Sequence, residues 1–357
     1  MNKKTNNRKR RTFPAGFTVL IALFLVCFLF VPARPQTNDN PIGAASILRS
    51  GVDARALGMG GAFVAVADNY SASYWNPAGI TRADAAYLGG MNYDKFGLGL
   101  NLNYLSGGFS PSKLPLTRNL PIGGLKIPLI RDFSLSGTFV GFSTNVRAAD
   151  PDGNPIGEIT YSERTYMGTV GFSISSLGSI GTSVKNYRFR APGAGVDGTN
   201  ATANGLGFDL GLLAEPIKNF RVGAAGFDIS GTDIKWQNTP TEPTNTAPAR
   251  YSAGMAYDFD FSVLPIPDLI AGTTTFAGQY TFGPNIANKI RGGMEYNVSV
   301  FSLRGGVVKP LDGNLQFAAG AGLNINLLSA DVAWVQNTAV EGENTSDTVI
   351  LSTEFTF

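Results

Sequence analysis

The last ten residues, TVILSTEFTF (348–357), alternate between two kinds of side chain. Their odd-numbered positions carry Val, Leu, Thr, Phe and Phe, whereas the even-numbered positions carry Thr, Ile, Ser, Glu and Thr. Successive side chains of a β-strand point to opposite faces, so a period of two indicates a strand. The segment therefore predicts a strand with one apolar, aromatic face and one mainly polar face.

The same alternation recurs through most of the chain after residue 85. Connections between these segments alternate between short turns and long polar loops, which is typical of outer-membrane barrels. We therefore predict an all-β fold, a transmembrane antiparallel β-barrel of about 14 strands over residues 85–357, with bulges at 185–186 and 225–226. The Pro-rich segment 110–130 does not fit the loop pattern. The strands are predicted at 85–94, 96–108, 131–145, 159–175, 179–191, 204–215, 219–230, 249–260, 268–281, 288–297, 299–309, 315–326, 328–337 and 347–357.

The chemistry of the two faces favours a barrel over a secreted soluble β-sandwich, which is the alternative. One face is apolar and rich in aromatic residues, and the other mixes glycine with acidic and basic residues. Lipid outside and a polar lumen inside give this distribution. We expect Arg291, Glu295, Arg304 and Glu354 to form a polar cluster in the lumen. This cluster either holds a plug in place or relays its opening.

The N-terminus predicts export. Six basic residues precede the apolar run 15–31, so residues 1–33 are interpreted as a signal peptide, with an uncleaved anchor as the alternative. Without them Lys+Arg falls from 28 to 22 against 26 acidic residues, a net charge of about −4 that argues against nucleic-acid binding. The chain has no histidine, and its one cysteine lies in the leader. We predict no catalytic residue, no metal site and no cofactor, and therefore no enzyme.

Residues 37–84 are predicted to fill the barrel. They lack strand alternation, and they precede the first strand. Fourteen strands enclose more space than their own side chains fill, so a compact, turn-rich plug is expected inside. The motif residues of this plug are Asp53, Arg55, Gly58, Gly60, Trp75, Asn76, Pro77 and Ala78.

The stretch GVDARALGMGGAFVAVAD, followed by WNPAGI and then by a barrel, resembles the FadL superfamily of outer-membrane proteins. Within that superfamily it is most similar to the PorV/PorQ-type branch. The resemblance implies a fourteen-stranded barrel with an N-terminal hatch that carries Asn76-Pro77-Ala78. FadL relatives pass hydrophobic small molecules sideways through a wall opening at a kinked strand, whereas PorV relatives handle exported cargo in type IX secretion.

Two functions therefore remain open for a protein in the bacterial outer membrane. The first is passive transport of hydrophobic small molecules, and the second is a PorV-like role in protein secretion. The expected partners are outer-membrane lipids, the barrel assembly machinery, and either a hydrophobic small molecule or a secretion cargo. Leu351, Phe355 and Phe357 resemble the C-terminal signal that the assembly machinery reads, although an ordinary edge strand is the alternative.

Overall fold

The computed structural model describes residues 45–95, 100–114, 130–149, 155–174, 178–261, 271–337 and 347–357. Helical turns in these ranges are short, and they cover Ser46–Arg49, Ala54–Gly58, Ala72–Trp75, Pro77–Thr81, Pro111–Lys113 and Val196–Gly198. None of the described helices has the length and apolar character that a transmembrane helix requires. The strands are β1 (Ala86–Lys95), β2 (Leu100–Phe109), β3 (Ile130–Ala149), β4 (Pro155–Ile174), β5 (Gly178–Ala191), β6 (Ala201–Ile217), β7 (Phe220–Phe227), β8 (Thr232–Gln237), β9 (Thr244–Ala247), β10 (Arg250–Asp260), β11 (Thr273–Phe282), β12 (Lys289–Val298), β13 (Phe301–Pro310), β14 (Gln316–Ile325), β15 (Leu328–Val335) and β16 (Thr348–Thr356).

Fourteen of these strands form a closed antiparallel barrel. Strands β1 to β7 and β10 to β16 each pair with their neighbours, β7 pairs with β10, and β1 pairs with β16 to close the ring. Each strand overlaps one of the fourteen segments predicted from the alternation. The all-β fold class and the closed antiparallel barrel of fourteen strands are therefore confirmed.

The hairpin of β8 and β9 was not predicted from the sequence. Strand β8 pairs with β9 and with the first residues of β6, so the hairpin continues the wall beyond β7 and β10. Its residues lie in a polar stretch that reads as a long loop, because the alternation of Ile234 and Trp236 with Asp233 and Lys235 is only a few residues long.

The two predicted bulges are wrong. Strand β5 keeps an unbroken register with both neighbours through 185–186, and β7 does so through 225–226. Lys185, Tyr187 and Phe189 all face inward and are buried. The apparent change of parity arises because the inner face turns aromatic here while Arg188 and Arg190 lie on the outer face.

The two faces of the barrel have the predicted chemistry. Outward-facing Leu206, Phe208 and Leu210 on β6 are each at least half exposed, whereas Asp209 between them is fully buried. An apolar outer band around an ionic interior is typical of a barrel whose outer surface contacts lipid acyl chains.

The plug lies inside this ring. Residues 51–81 are almost all buried, and they contact strands around the whole circumference, from β3–β6 to β13–β16. The wall approaches it through glycine: a Cβ at Gly181 or Gly211 would collide with the backbone or side chain of Asn76-Pro77-Ala78. Lys113, at the start of the segment 110–130, donates to the carbonyl oxygens of Thr81 and Ala83 at 2.8 and 2.6 Å. Most of that segment lies outside the described residues.

Candidate functional site

Asp53 organises the plug through its carboxylate. It caps the helix Ala54–Gly58 by accepting from the amide of Arg55 at 3.1 Å. The side-chain NH₂ group of Asn69 and the hydroxyl of Ser71 donate to Oδ2 at 2.7 and 3.0 Å. The hydroxyl of Ser352 on β16 donates to Oδ1 at 3.2 Å. A fully buried carboxylate needs such donors, so Asp53 ties the plug together and to the wall.

An ion network fixes the plug to the wall beside β12. Arg55 binds Asp68 at 2.6 Å and holds both carboxylate oxygens of Glu295 at 2.8 Å. Glu295 also binds Arg304 at 2.7 Å, and Arg304 reaches Asp331 at 2.6 Å. Although burial alone would lower the pKa of Arg55, the carboxylates of Asp68 and Glu295 raise it well above its usual value. Arg55 therefore stays charged and acts as the bidentate anchor of the plug.

The predicted lumen cluster is only partly assembled. Glu295 and Arg304 meet as expected, and the network gains Asp331, which sequence reasoning missed. Arg291 faces inward but donates to the hydroxyl of Thr281 at 2.7 Å rather than to a carboxylate of the described chain. Glu354 also stands apart from the network and accepts from the plug amide of Tyr70 at 2.8 Å.

The Asn76-Pro77-Ala78 step joins two parts of the plug to β6. The Asn76 carboxamide accepts from the amide of Ala78 at 3.1 Å. Its NH₂ group donates to the carbonyl oxygens of Val64 in the plug and Leu212 on β6, at 2.8 and 2.9 Å. Pro77 begins the following 3₁₀ turn, where a missing N–H costs nothing. This motif therefore positions the plug against the wall.

The other predicted motif residues shape the plug surface. Gly60 has φ of 66° and lies against the backbone of Val307, so glycine is required there. Gly58 lies beside Gly320 on β14. The indole of Trp75 donates to the carbonyl oxygen of Val52 at 3.2 Å and packs edge-on against Phe63.

The barrel wall is interrupted between β6 and the β7–β8 junction. Strand β6 pairs with β7 from Leu210 onward and with β8 only up to Asn204, so 205–209 lack ladder pairing on that side. On that side the amide of Ile229 donates to the carbonyl oxygen of Phe208 at 3.0 Å. Residues 228–231 break the strand because Asp228, Ser230 and Gly231 have positive φ.

A buried polar cluster, which we call the clasp, spans this interruption. It consists of Lys185 and Tyr187 on β5, Asp209 on β6, Asp228 after β7 and Thr232 on β8. Lys185 binds Asp209 at 2.8 Å and Asp228 at 2.7 Å. Tyr187 and Thr232 donate to Asp228 at 2.8 and 2.9 Å, and the amide of Asp228 donates to Asp209 at 2.8 Å. One cation thus holds two carboxylates from opposite sides of the break.

A cavity of about 30 Å³ lies beside the clasp. Its lining comes from the segment 45–49, from Tyr74 of the plug and from residues on or next to β4–β7, β9 and β10. About 10–15 Å³ accommodates one water-sized group, so the cavity holds a small head group and no more. The sequence analysis did not predict this site, because its cation and its two carboxylates come from three separate elements of the chain.

The predicted assembly residues lie on the outer face. Leu351, Phe355 and Phe357 are exposed, and β16, which carries the first two, closes the ring against β1. Their role as an assembly signal stays a prediction.

Together these features define a plugged β-barrel of the outer-membrane type. No protein-family model and no curated protein matches the chain. Among solved structures, the toluene transporter TodX of P. putida is similar, with a TM-score of 0.50 and 11% identity over 86% of this chain and 99% of that chain. A TodX mutant, titled a monoaromatic hydrocarbon channel, has a TM-score of 0.51 and 12% identity over 86% and 99%. A FadL homologue from Pseudomonas aeruginosa has a TM-score of 0.49 and 12% identity over 85% and 97%.

At these identities the likeness concerns the fold. The fold is shared with TodX, and membership of the FadL superfamily stays a prediction from the sequence. The PorV/PorQ-type branch stays a prediction.

Proposed function

We propose that this protein is an outer-membrane channel for passive transport of hydrophobic small molecules. The observation that carries the proposal is the interrupted ladder between β6 and the β7–β8 junction, beside a lumen cavity. A closed barrel normally satisfies its backbone through continuous pairing, so a gap held by side chains is a place where the wall can part. The fold shared with the toluene transporter TodX supports the same conclusion.

The proposed route leads from the cavity through the break to the outer surface. Leu206, Phe208 and Leu210 border the break on the outside and are each at least half exposed. A hydrophobic molecule that passes the clasp therefore meets apolar surface and then acyl chains, without crossing water. The clasp acts as the barrier, because its ionic contacts close the break.

The cellular setting belongs to the same proposal. Residues 1–33 serve as a signal peptide, the apolar outer band contacts outer-membrane lipids, and the barrel assembly machinery reads Leu351, Phe355 and Phe357. Residues 37–84 form the plug domain, and 85–357 form the barrel. These assignments rest on the sequence patterns together with the fold.

A reversible cross-link tests the route. The only cysteine of the chain lies in the predicted signal peptide, so the double variant Gly207→Cys/Thr232→Cys introduces one new pair into the exported protein. A Cβ at Gly207 would lie 2.7 Å from Oγ1 of Thr232, across the break, and 2.5 Å from Oδ1 of Asp228, whose side chain must shift to admit it. The comparison is therefore made between the oxidised and reduced forms of the same variant. Uptake of N-phenyl-1-naphthylamine by cells that express the chain is expected to fall on oxidation and to recover on reduction.

The matched control is Thr169→Cys/Ser183→Cys, whose hydroxyl oxygens lie 2.8 Å apart across the intact β4–β5 ladder. Oxidation of this control should leave uptake unchanged. Equal uptake by the oxidised and reduced forms of the first variant would refute the route.

The PorV-like secretion role remains the alternative that the motif over residues 50–80 suggests. It predicts stable protein partners, which gentle extraction of outer membranes followed by affinity purification would recover. No contact in the described residues favours it over transport.

A further inference from the structure

We infer that the cavity beside the clasp selects hydrophobic molecules that carry one neutral hydroxyl group. This inference rests on the proposed transport function and names the substrate class at the same site. Three features of the cavity carry it: a free acceptor, a free donor and apolar walls.

The free acceptor is Oδ2 of Asp209. This oxygen is buried and has no hydrogen-bond partner in the described structure, although it belongs to a residue that lines the cavity. The other oxygen, Oδ1, is fully used, since it accepts from Lys185 and from the amide of Asp228, both at 2.8 Å. An unpaired buried acceptor is costly, so the site favours an occupant that donates to it.

The free donor is the guanidinium of Arg250, which also lines the cavity. It lies 4.3 Å from the centre of the Phe227 ring and 5.8 Å from that of Tyr74. No carboxylate of the described chain lies within ion-pair distance of it, although a guanidinium offers five N–H groups. The aromatic rings hold the guanidinium in place and leave its donors for an occupant.

The remaining walls are apolar. Leu48, Met167, Phe227, Ala247 and Pro248 supply them, and the volume of about 30 Å³ admits a head group only. The body of a larger molecule would then extend into the break, where the wall parts.

The charges of the site discriminate between head groups. A carboxylate would face Asp209 and Asp228, and an ammonium group would face Lys185, Arg49 and Arg250. A pure hydrocarbon displaces water and leaves both the acceptor and the guanidinium unpaired. A neutral hydroxyl donates to Asp209 and accepts from Arg250, so it is the head group that satisfies both sides.

The test compares three probes with the same ring: p-cresol, toluene and 4-methylbenzoate. Radiolabelled uptake at neutral pH is measured in cells that express the full chain, and uptake by cells without it is subtracted. We expect p-cresol uptake to exceed that of the other two probes about tenfold at limiting concentration, because one hydrogen bond to a charged group accounts for a difference of that size.

The variant Asp209→Asn keeps the acceptor that Lys185 and Asp228 use and replaces the free oxygen by an NH₂ donor. It is expected to abolish the preference for p-cresol, whereas the control Asp258→Asn, on β10 away from the cavity, should keep it. The comparison of the three probes in cells that express the wild-type chain tests the inference even if neither variant folds. Toluene uptake equal to that of p-cresol, or a preserved preference in Asp209→Asn, overturns the inference and leaves transport intact. Chain-dependent uptake of none of the probes overturns the transport function and the inference with it.

Discussion

Replacing Lys185 by methionine should open the wall while leaving the barrel folded. Lys185 is the only cation of the clasp, and its ammonium group lies within 2.8 Å of Asp209 and 2.7 Å of Asp228. Methionine fills a similar volume but removes the charge. The variant therefore leaves two buried carboxylates, one on each side of the break, without a counter-ion.

The size of the effect follows from burial. Lys185 is 3% exposed and Asp209 is fully buried, so solvent cannot take over the lost interaction. Breaking a buried ion pair by removing one partner costs about 3–5 kcal/mol. This cost falls on the closed form of the break, since parting the wall hydrates the two acids. At about 1.4 kcal/mol per factor of ten, the opening equilibrium shifts by roughly two to three and a half orders of magnitude.

Hydrogen exchange followed by mass spectrometry measures this shift directly. The amides of 228–231 should exchange about 100- to 4,000-fold faster in the variant, while peptides from β13 and β14 keep their rates. Uptake of N-phenyl-1-naphthylamine should rise in parallel. The triple variant Lys185→Met/Asp209→Asn/Asp228→Asn, which has no uncompensated charge, should return towards the slow exchange of the wild type.

Two results would refute this reasoning. Unchanged exchange at 228–231 would mean that the clasp does not hold the break. Faster exchange everywhere, with loss of the heat-stable folded band on a gel, would mean that Lys185 supports the whole barrel rather than the break.

Three further changes test other contacts. Gly211→Val places a side chain against Asn76 and should lower barrel stability by about 1–3 kcal/mol in heat-modifiability gels. A Cβ on outward-facing Gly168 meets nothing within 4 Å, so the control Gly168→Val should be neutral. Equal effects of the two variants would contradict the contact between the plug and β6. Asn76→Ala removes the cap and two donor contacts at 2.8 and 2.9 Å, so we expect altered probe uptake in normally assembled barrels. Unchanged uptake would contradict the role of Asn76 in positioning the plug. Phe357→Ser should reduce the amount of barrel in isolated outer membranes severalfold if the terminal residue is read during assembly, whereas Phe301→Ser, at a similarly exposed position, should not.

The barrel was predictable because its information is local. Each of the fourteen barrel strands contains a segment of alternating side chains, as Thr348–Thr356 does. The even number of strands follows from counting these segments. The burial of Glu295 and Arg304 was predictable for the same reason, because parity assigns each to the inner face.

The contacts that define the site were not predictable, since they join distant parts of the chain. Arg55 meets Glu295 across 240 residues, and Lys185 meets Asp228 across 43. Parity alone also misled at Lys185: the inner face of β5 becomes aromatic at Tyr187, and the resulting change in pattern was interpreted as a bulge. A buried lysine next to aromatic residues on one face was the available signal of the clasp.

The last strand has a consequence for how the molecule is made. Strand β16 pairs with β1 at the seam of the cylinder, and the same strand receives the plug: Ser352 accepts from the amide of Ala54 at 3.2 Å, and Glu354 accepts from that of Tyr70 at 2.8 Å. Pairing of β16 with β1 is therefore most favourable when the plug already fills the lumen. We therefore expect the order of assembly to favour barrels that already contain the plug, because a barrel closed without it would leave these two acceptors of the last strand without their plug donors.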